Sequence, residues 1–186
     1  MSSNHGLEAV VRAYQQRPLR KGAHELASFA AEPSLEAAVS RAGLAERFNG
    51  KRLVRYNHQR RIPRQALAVA RERLLAADLK SCTSFHELFL AVEAAIDDIP
   101  RIGELMVYDT ALRVGSKLGL EPAKVYLHSG TRVGARRLGL DSRAHWIERQ
   151  ELPEPLRSLP PWQVEDILCI YKDWFKGESR RATGYS

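Results

Sequence analysis

Phe85-His-Glu-Leu-Phe-Leu-Ala-Val-Glu-Ala-Ala-Ile96 carries apolar side chains at Phe85, Leu88, Phe89, Val92 and Ile96. That i, i+3, i+4, i+7, i+11 spacing lies along one face of an α-helix. Ser84 in front, with Glu87 three residues on, is a capping box, so the helix is predicted from about 85 to 97. Working outward, the same period predicts helices beginning near Leu7, His24 and Leu35, the third capped by Ser34 and stopped by Gly43. Further helices are predicted over Arg64–Leu79, with Pro63 at its first turn, and over Glu104–Leu118, stopped by Gly119. Thr131–Leu138 should be another, closed by Gly139. The last should run from Trp162 to about Phe175, with Val164, Ile167, Leu168, Tyr171 and Phe175 in one stripe. Between them, Lys124–His128 is β-leaning and reads as an extended link. Leu152–Pro161 holds four prolines and reads as a linker. No alternation of strand and helix suggests a parallel sheet. The expected fold is mainly α: one compact multi-helix domain over 1–175, with 1–45 as a peripheral helical subregion and 176–186 as a flexible tail.

The 186 residues can bury one substantial core, and 44% hydrophobic and 27% charged residues are ordinary for a soluble globular chain. The net charge of +7 points to acidic partners. Cys82 and Cys169 are the only cysteines and form no short-spaced pair, which disfavours a disulfide scaffold or thiolate zinc site and fits a reducing, cytoplasmic setting. Cys169 reads as a small core residue. The first residues do not form a secretory leader, and no apolar run approaches the length of a membrane span. The six histidines show no paired ligand spacing, so no metal is expected. No nucleotide-binding glycine loop or nucleophile elbow occurs, so no cofactor is expected either.

Charge is concentrated in one place. Lys51–Arg73 holds eight Lys or Arg residues against one acid, Glu72. Its densest part, Lys51–Arg64, has six cations and no carboxylate, with Tyr56, Asn57, His58 and Gln59 among them. Arginine forms forked bonds to phosphate and stacks on bases, and each neutralised phosphate releases counterions. Arg55, Tyr56, His58, Arg60, Arg61 and Arg64 are therefore candidate nucleic-acid contacts, the alternative being a solvated basic face.

Ile99-Pro-Arg-Ile-Gly103 separates two predicted helices and resembles a helix–hairpin–helix element, whose hairpin runs apolar-Pro-Gly-apolar-Gly. Such a corner points backbone N–H groups at a phosphate from a helix N-terminus. Arg101 here stands where the first glycine is usual. Farther on, Thr131-Arg-Val-Gly-Ala-Arg-Arg-Leu-Gly-Leu140 resembles the segment after the catalytic loop in helix–hairpin–helix DNA glycosylases. The resemblance spans roughly Phe85 to Leu140. It implies phosphate binding at Ile102, Gly103 and Arg132, and Arg101, Arg136 and Arg137 would supply further cations beside them. It also argues against glycosylase activity, because Leu127 and Leu105 occupy the positions of the family's aspartate and lysine.

Other residues have chemistry but simpler readings. Asp109 reads as a solvent-facing i,i+4 partner of Arg113, or as a displaced catalytic acid. Tyr126 and His128 are candidates for a base pocket, although alternation with Val125 and Leu127 would send the two pairs to opposite sides. Glu165 and Asp166 diverge on their helix and read as acids favoured near a helix start rather than as a shared metal site. The expected function is DNA or RNA binding, without membrane association. The alternatives are a glycosylase- or nuclease-like enzyme with relocated acids, and a module that docks an acidic protein.

Overall fold

The computed structural model describes residues 2–16 and 20–175, with side chains over 6–16 and 23–175. The 176–186 segment lies outside the described residues. The helices are α1 (Ser2–Gln16), α2 (Arg20–Ala30), α3 (Leu35–Gly43), α4 (Arg64–Ala76), α5 (Phe85–Ile96), α6 (Glu104–Leu118), α7 (Ser129–Arg137), α8 (Glu154–Arg157) and α9 (Pro161–Ile170). Two short antiparallel pairs accompany them: β1 (Glu46–Phe48) with β2 (Leu53–Arg55), and β3 (Val125–Tyr126) with β4 (Trp146–Ile147). The protein is mainly helical, 59% helix against 6% strand. Among the described residues no helix is long and apolar enough to cross a membrane.

Close contacts divide the chain into two compact units, Met1–Arg17 with Lys124–Ser186, and Pro18–Ala123. Residues 1–17 group with the C-terminal part because Leu7, Val10, Val11 and Tyr14 of α1 pack into the same apolar cluster as Leu156, Val164, Ile167 and Leu168.

In the Pro18–Ala123 unit, α6 packs against α2, α3 and α5, and α3 also packs against α4. Phe85, Leu88, Phe89, Val92 and Ile96 are all buried, as their spacing requires. Ser84 accepts from the Glu87 N–H, and the Glu87 carboxylate takes the N–H and hydroxyl of Thr83. Gly43 is the last residue of α3, but its role is packing. A Cβ there would lie 2.8 Å from the Arg71 Cα, so glycine lets α3 and α4 approach, and Ala45 makes the left-handed turn at φ 54°. The α4 helix stops at Ala76, short of Leu79, where the Asp78 side chain and carbonyl accept from Ser81 and start a turn.

In the other unit, α7 lies against α9. Gly134 is the closest approach: a Cβ there would fall 2.2 Å from the Leu168 carbonyl oxygen. The proline-rich stretch contains α8, begun by Pro153 and Pro155, with Leu152, Leu156 and Leu159 buried. The α9 helix ends at Ile170 instead of Phe175. Lys172 donates to the Cys169 carbonyl and Arg137 to the Lys172 carbonyl, so cations cap its last turn.

Candidate nucleic-acid interface

The basic segment is a β-hairpin running into a helix, a form its composition did not suggest. Asn49 turns the hairpin by accepting from the N–H groups of Lys51 and Arg52, at 3.1 and 3.0 Å. Strands β1 and β2 pair Glu46 with Arg55 and Phe48 with Leu53. A 3₁₀ turn, Asn57–Gln59, follows, and Pro63 then precedes α4.

This path encloses a concave pocket of about 560 Å³. Its wall carries Arg52, Arg55, Arg60 and Arg64, against the single acid Glu46, and Leu44, Leu53, Val54 and Leu67 supply apolar surface. Arg55 is part of the frame: its Nη1 donates to the Ile62 carbonyl at 2.8 Å and the Arg60 carbonyl at 3.3 Å. Arg52, Arg60, Arg61 and Arg64 are exposed, and among the described residues no carboxylate or carbonyl holds their guanidinium groups. Phe48 and Leu53, facing each other across the hairpin, are also exposed.

Behind the pocket, the 57–59 turn is fastened to α6. Asp109 Oδ2 accepts from His58 Nε2 and Gln59 Nε2, both at 2.8 Å, and from Arg113 Nη2 at 3.1 Å. Arg113 also donates to Glu25 Oε1 and Gln59 Oε1, and its guanidinium lies 3.9 Å from the centroid of the Tyr56 ring. The Asp109–Arg113 pair exists at the expected spacing, but it is not solvent-facing, since Arg113 is buried. Burial opposes the Arg113 charge, yet Asp109 and Glu25 outweigh it and hold the guanidinium more basic than usual. Tyr56 is likewise buried, and its desolvation pushes the phenol above its ordinary value. Tyr56 and Asp109 thus pack around Arg113, while His58, half exposed, reaches Asp109 from the 57–59 turn. The sequence offered Gln59 only as a polar neighbour and Arg113 only as the partner of Asp109, and it did not point to Glu25, because their convergence joins positions more than thirty residues apart.

The 99–103 corner joins α5 to α6. Arg101 is exposed and adopts φ 76°, the left-handed conformation that glycine usually supplies. Ile102 is buried and its N–H donates to the Ile99 carbonyl at 3.0 Å, so that amide serves the corner rather than an outside phosphate. Gly103 is exposed and caps α6 without a side-chain bond. Glu104 puts an acid in the first turn, where it opposes an incoming anion.

In the unit containing α7, Arg132 donates to the Ser142 and Ala144 carbonyls at 2.9 and 2.8 Å. Arg137 binds the Lys172 carbonyl and the Asp173 carboxylate. Both therefore brace their own chain, and Arg136 alone of the three is fully exposed. Val125, Tyr126, Leu127 and His128 are all buried, so the expected alternation does not occur. The β3–β4 pair covers one side and α9 packs close to β3. No known protein-family model, curated protein or solved structure matches the chain.

Proposed function

We propose that this protein binds DNA or RNA through the sugar–phosphate backbone, at the arginine pocket formed by 44–67. The carrying observation is that Arg52, Arg60 and Arg64 face one concave surface without carboxylate or carbonyl partners among the described residues. Elsewhere in the same unit buried arginines are tightly engaged, so exposed guanidinium groups at a pocket are a distinct arrangement. They match the geometry of phosphate, and the pocket volume lies within the usual range for a ligand of nucleotide size. Exposed Phe48 and Leu53 add apolar surface on which an unpaired base can stack. Arg61 and Arg101 are further exposed cations, and the 99–103 corner would offer Arg101 and Gly103 to a phosphate rather than the Ile102 amide.

The reading includes no glycosylase chemistry, because Leu127 and Leu105 stand where the resemblance would put its acid and its amine. Asp109 is a fastening group, bonded by three donors. Fluorescence anisotropy with labelled single- and double-stranded oligonucleotides tests the proposal. The native chain should bind, and the Arg60→Glu/Arg64→Glu double variant should lose most affinity while keeping its melting temperature. A native chain that binds neither strand form, or a double variant that binds equally well, overturns it.

A further inference from the structure

Three side chains read separately from the sequence meet in the other unit. His128 caps the N-terminus of α7, and Glu165 and Cys169 lie four residues apart on α9, on one face. One donor atom from each, an imidazole nitrogen, a carboxylate oxygen and the sulfur, lies within 4.8 Å of the others. His128 is 1% exposed and Glu165 7% exposed. We propose that His128, Glu165 and Cys169 bind a divalent transition-metal ion of the zinc class.

Donor chemistry supports this choice. Thiolate, imidazole and carboxylate are the side-chain ligands zinc takes, whereas magnesium and calcium prefer oxygen donors alone. The ionised thiol and carboxylate bring two negative charges, so a divalent cation leaves the buried site neutral.

Access for the sulfur is built into the backbone. A Cβ at position 130 would fall 2.8 Å from Cys169 Sγ and 3.3 Å from His128 Cε1, so Gly130 leaves the space through which thiol and ring approach. The α7–α9 packing at Gly134 fixes the helices that carry the donors.

The geometry needs only side-chain adjustment. Zinc bonds of about 2.0–2.3 Å in a tetrahedron place donors roughly 3.3–3.7 Å apart. His128 Nε2 and Glu165 Oε1 are 2.5 Å apart and must open by about 1 Å to admit the ion, with the sulfur already within 4.8 Å of both residues' donor atoms. The ring accepts from the Gly130 N–H at Nδ1 through a long contact of 3.3 Å, which leaves its proton on Nε2 facing Glu165. On binding, the ion takes that place, the ring proton moves to Nδ1 as the long contact opens, and the thiol proton leaves to solvent. Three protein ligands leave a fourth coordination position for water or a ligand.

The full chain, stripped with a chelator, exposed to Zn²⁺ and desalted, should retain about one zinc per molecule by elemental analysis. Cys169→Ser and Glu165→Gln should each weaken binding by about tenfold or more. Co²⁺ should give a thiolate-to-metal absorption band in the native chain and none in Cys169→Ser. A second measurement separates ligation from folding. Metal-free Cys169→Ser should melt with the metal-free native chain, and zinc should raise only the native melting temperature. Zinc retention no greater than in Cys169→Ser, or a native melting temperature indifferent to zinc, overturns the proposal.

Discussion

Arg60 and Arg64 stand exposed at the 44–67 pocket, whereas Arg41 and Arg113, in the same unit, are buried against the Phe29 ring. Arg41 lies 3.6 Å from the ring centroid, pairs with Glu32 and donates to Ser28 Oγ. Arg113 gathers Glu25, Gln59 and Asp109. One residue type therefore does two kinds of work. Buried guanidinium groups organise the polar interior, and exposed ones leave charge available at a concave surface. The surrounding carboxylates mark the difference: two accept from Arg113, while Glu46 is the single acid at the pocket.

The largest expected effect falls on the buried side of this comparison. Arg113→Met leaves Glu25 and Asp109 without their cation and should destabilise the Pro18–Ala123 unit by about 3–5 kcal/mol in urea unfolding. Arg64→Ala, an exposed position, should shift the same transition by no more than about 0.5 kcal/mol. Equal shifts in the two variants would erase the distinction.

A smaller effect sharpens the exposed side. Phe48→Ala should weaken binding of a single-stranded oligonucleotide by about 1–3 kcal/mol, the loss of one stacked base. Its salt dependence should stay the same, since no phosphate contact is removed. Unchanged affinity would restrict the site to the arginines.

The smallest effect lies away from both arginine groups. The N–H and hydroxyl of Thr83 hold the Glu87 carboxyl below its ordinary range. A depressed folded pKa means its stabilising contribution is present near neutral pH and fades as pH falls through the folded value, below the usual carboxylate range. Glu87→Gln should flatten that acid limb of the stability curve slightly. An unchanged acid limb would show that this exposed cap contributes nothing.

Helices were legible where apolar spacing was regular. Phe85 to Ile96 and Glu104–Leu118 form as the pattern requires, because local hydrogen bonding and one buried stripe agree. Tertiary contacts decided the rest. The α9 helix stops early under the caps from Lys172 and Arg137, and Leu53–Arg55 folds back on Glu46–Phe48 because Asn49 and Gly50 turn the chain. The basic character of the pocket was legible as charge, but the partners of each arginine were not. Arg132 and Arg60 look alike in a sequence, yet one is bonded to two carbonyls of its own chain. Glu165 and Cys169 are helix neighbours by spacing, but His128 joins them from thirty-seven positions away, a distance no motif spans.

Salt titration of oligonucleotide binding tests the phosphate-binding reading most directly. The logarithm of the native chain's affinity should fall steeply and linearly with the logarithm of salt concentration, and Arg60→Ala/Arg64→Ala should reduce that slope by about two units, one for each phosphate contact. A flat native slope, or one the double substitution leaves unchanged, would contradict a role for these guanidinium groups in holding a phosphate backbone.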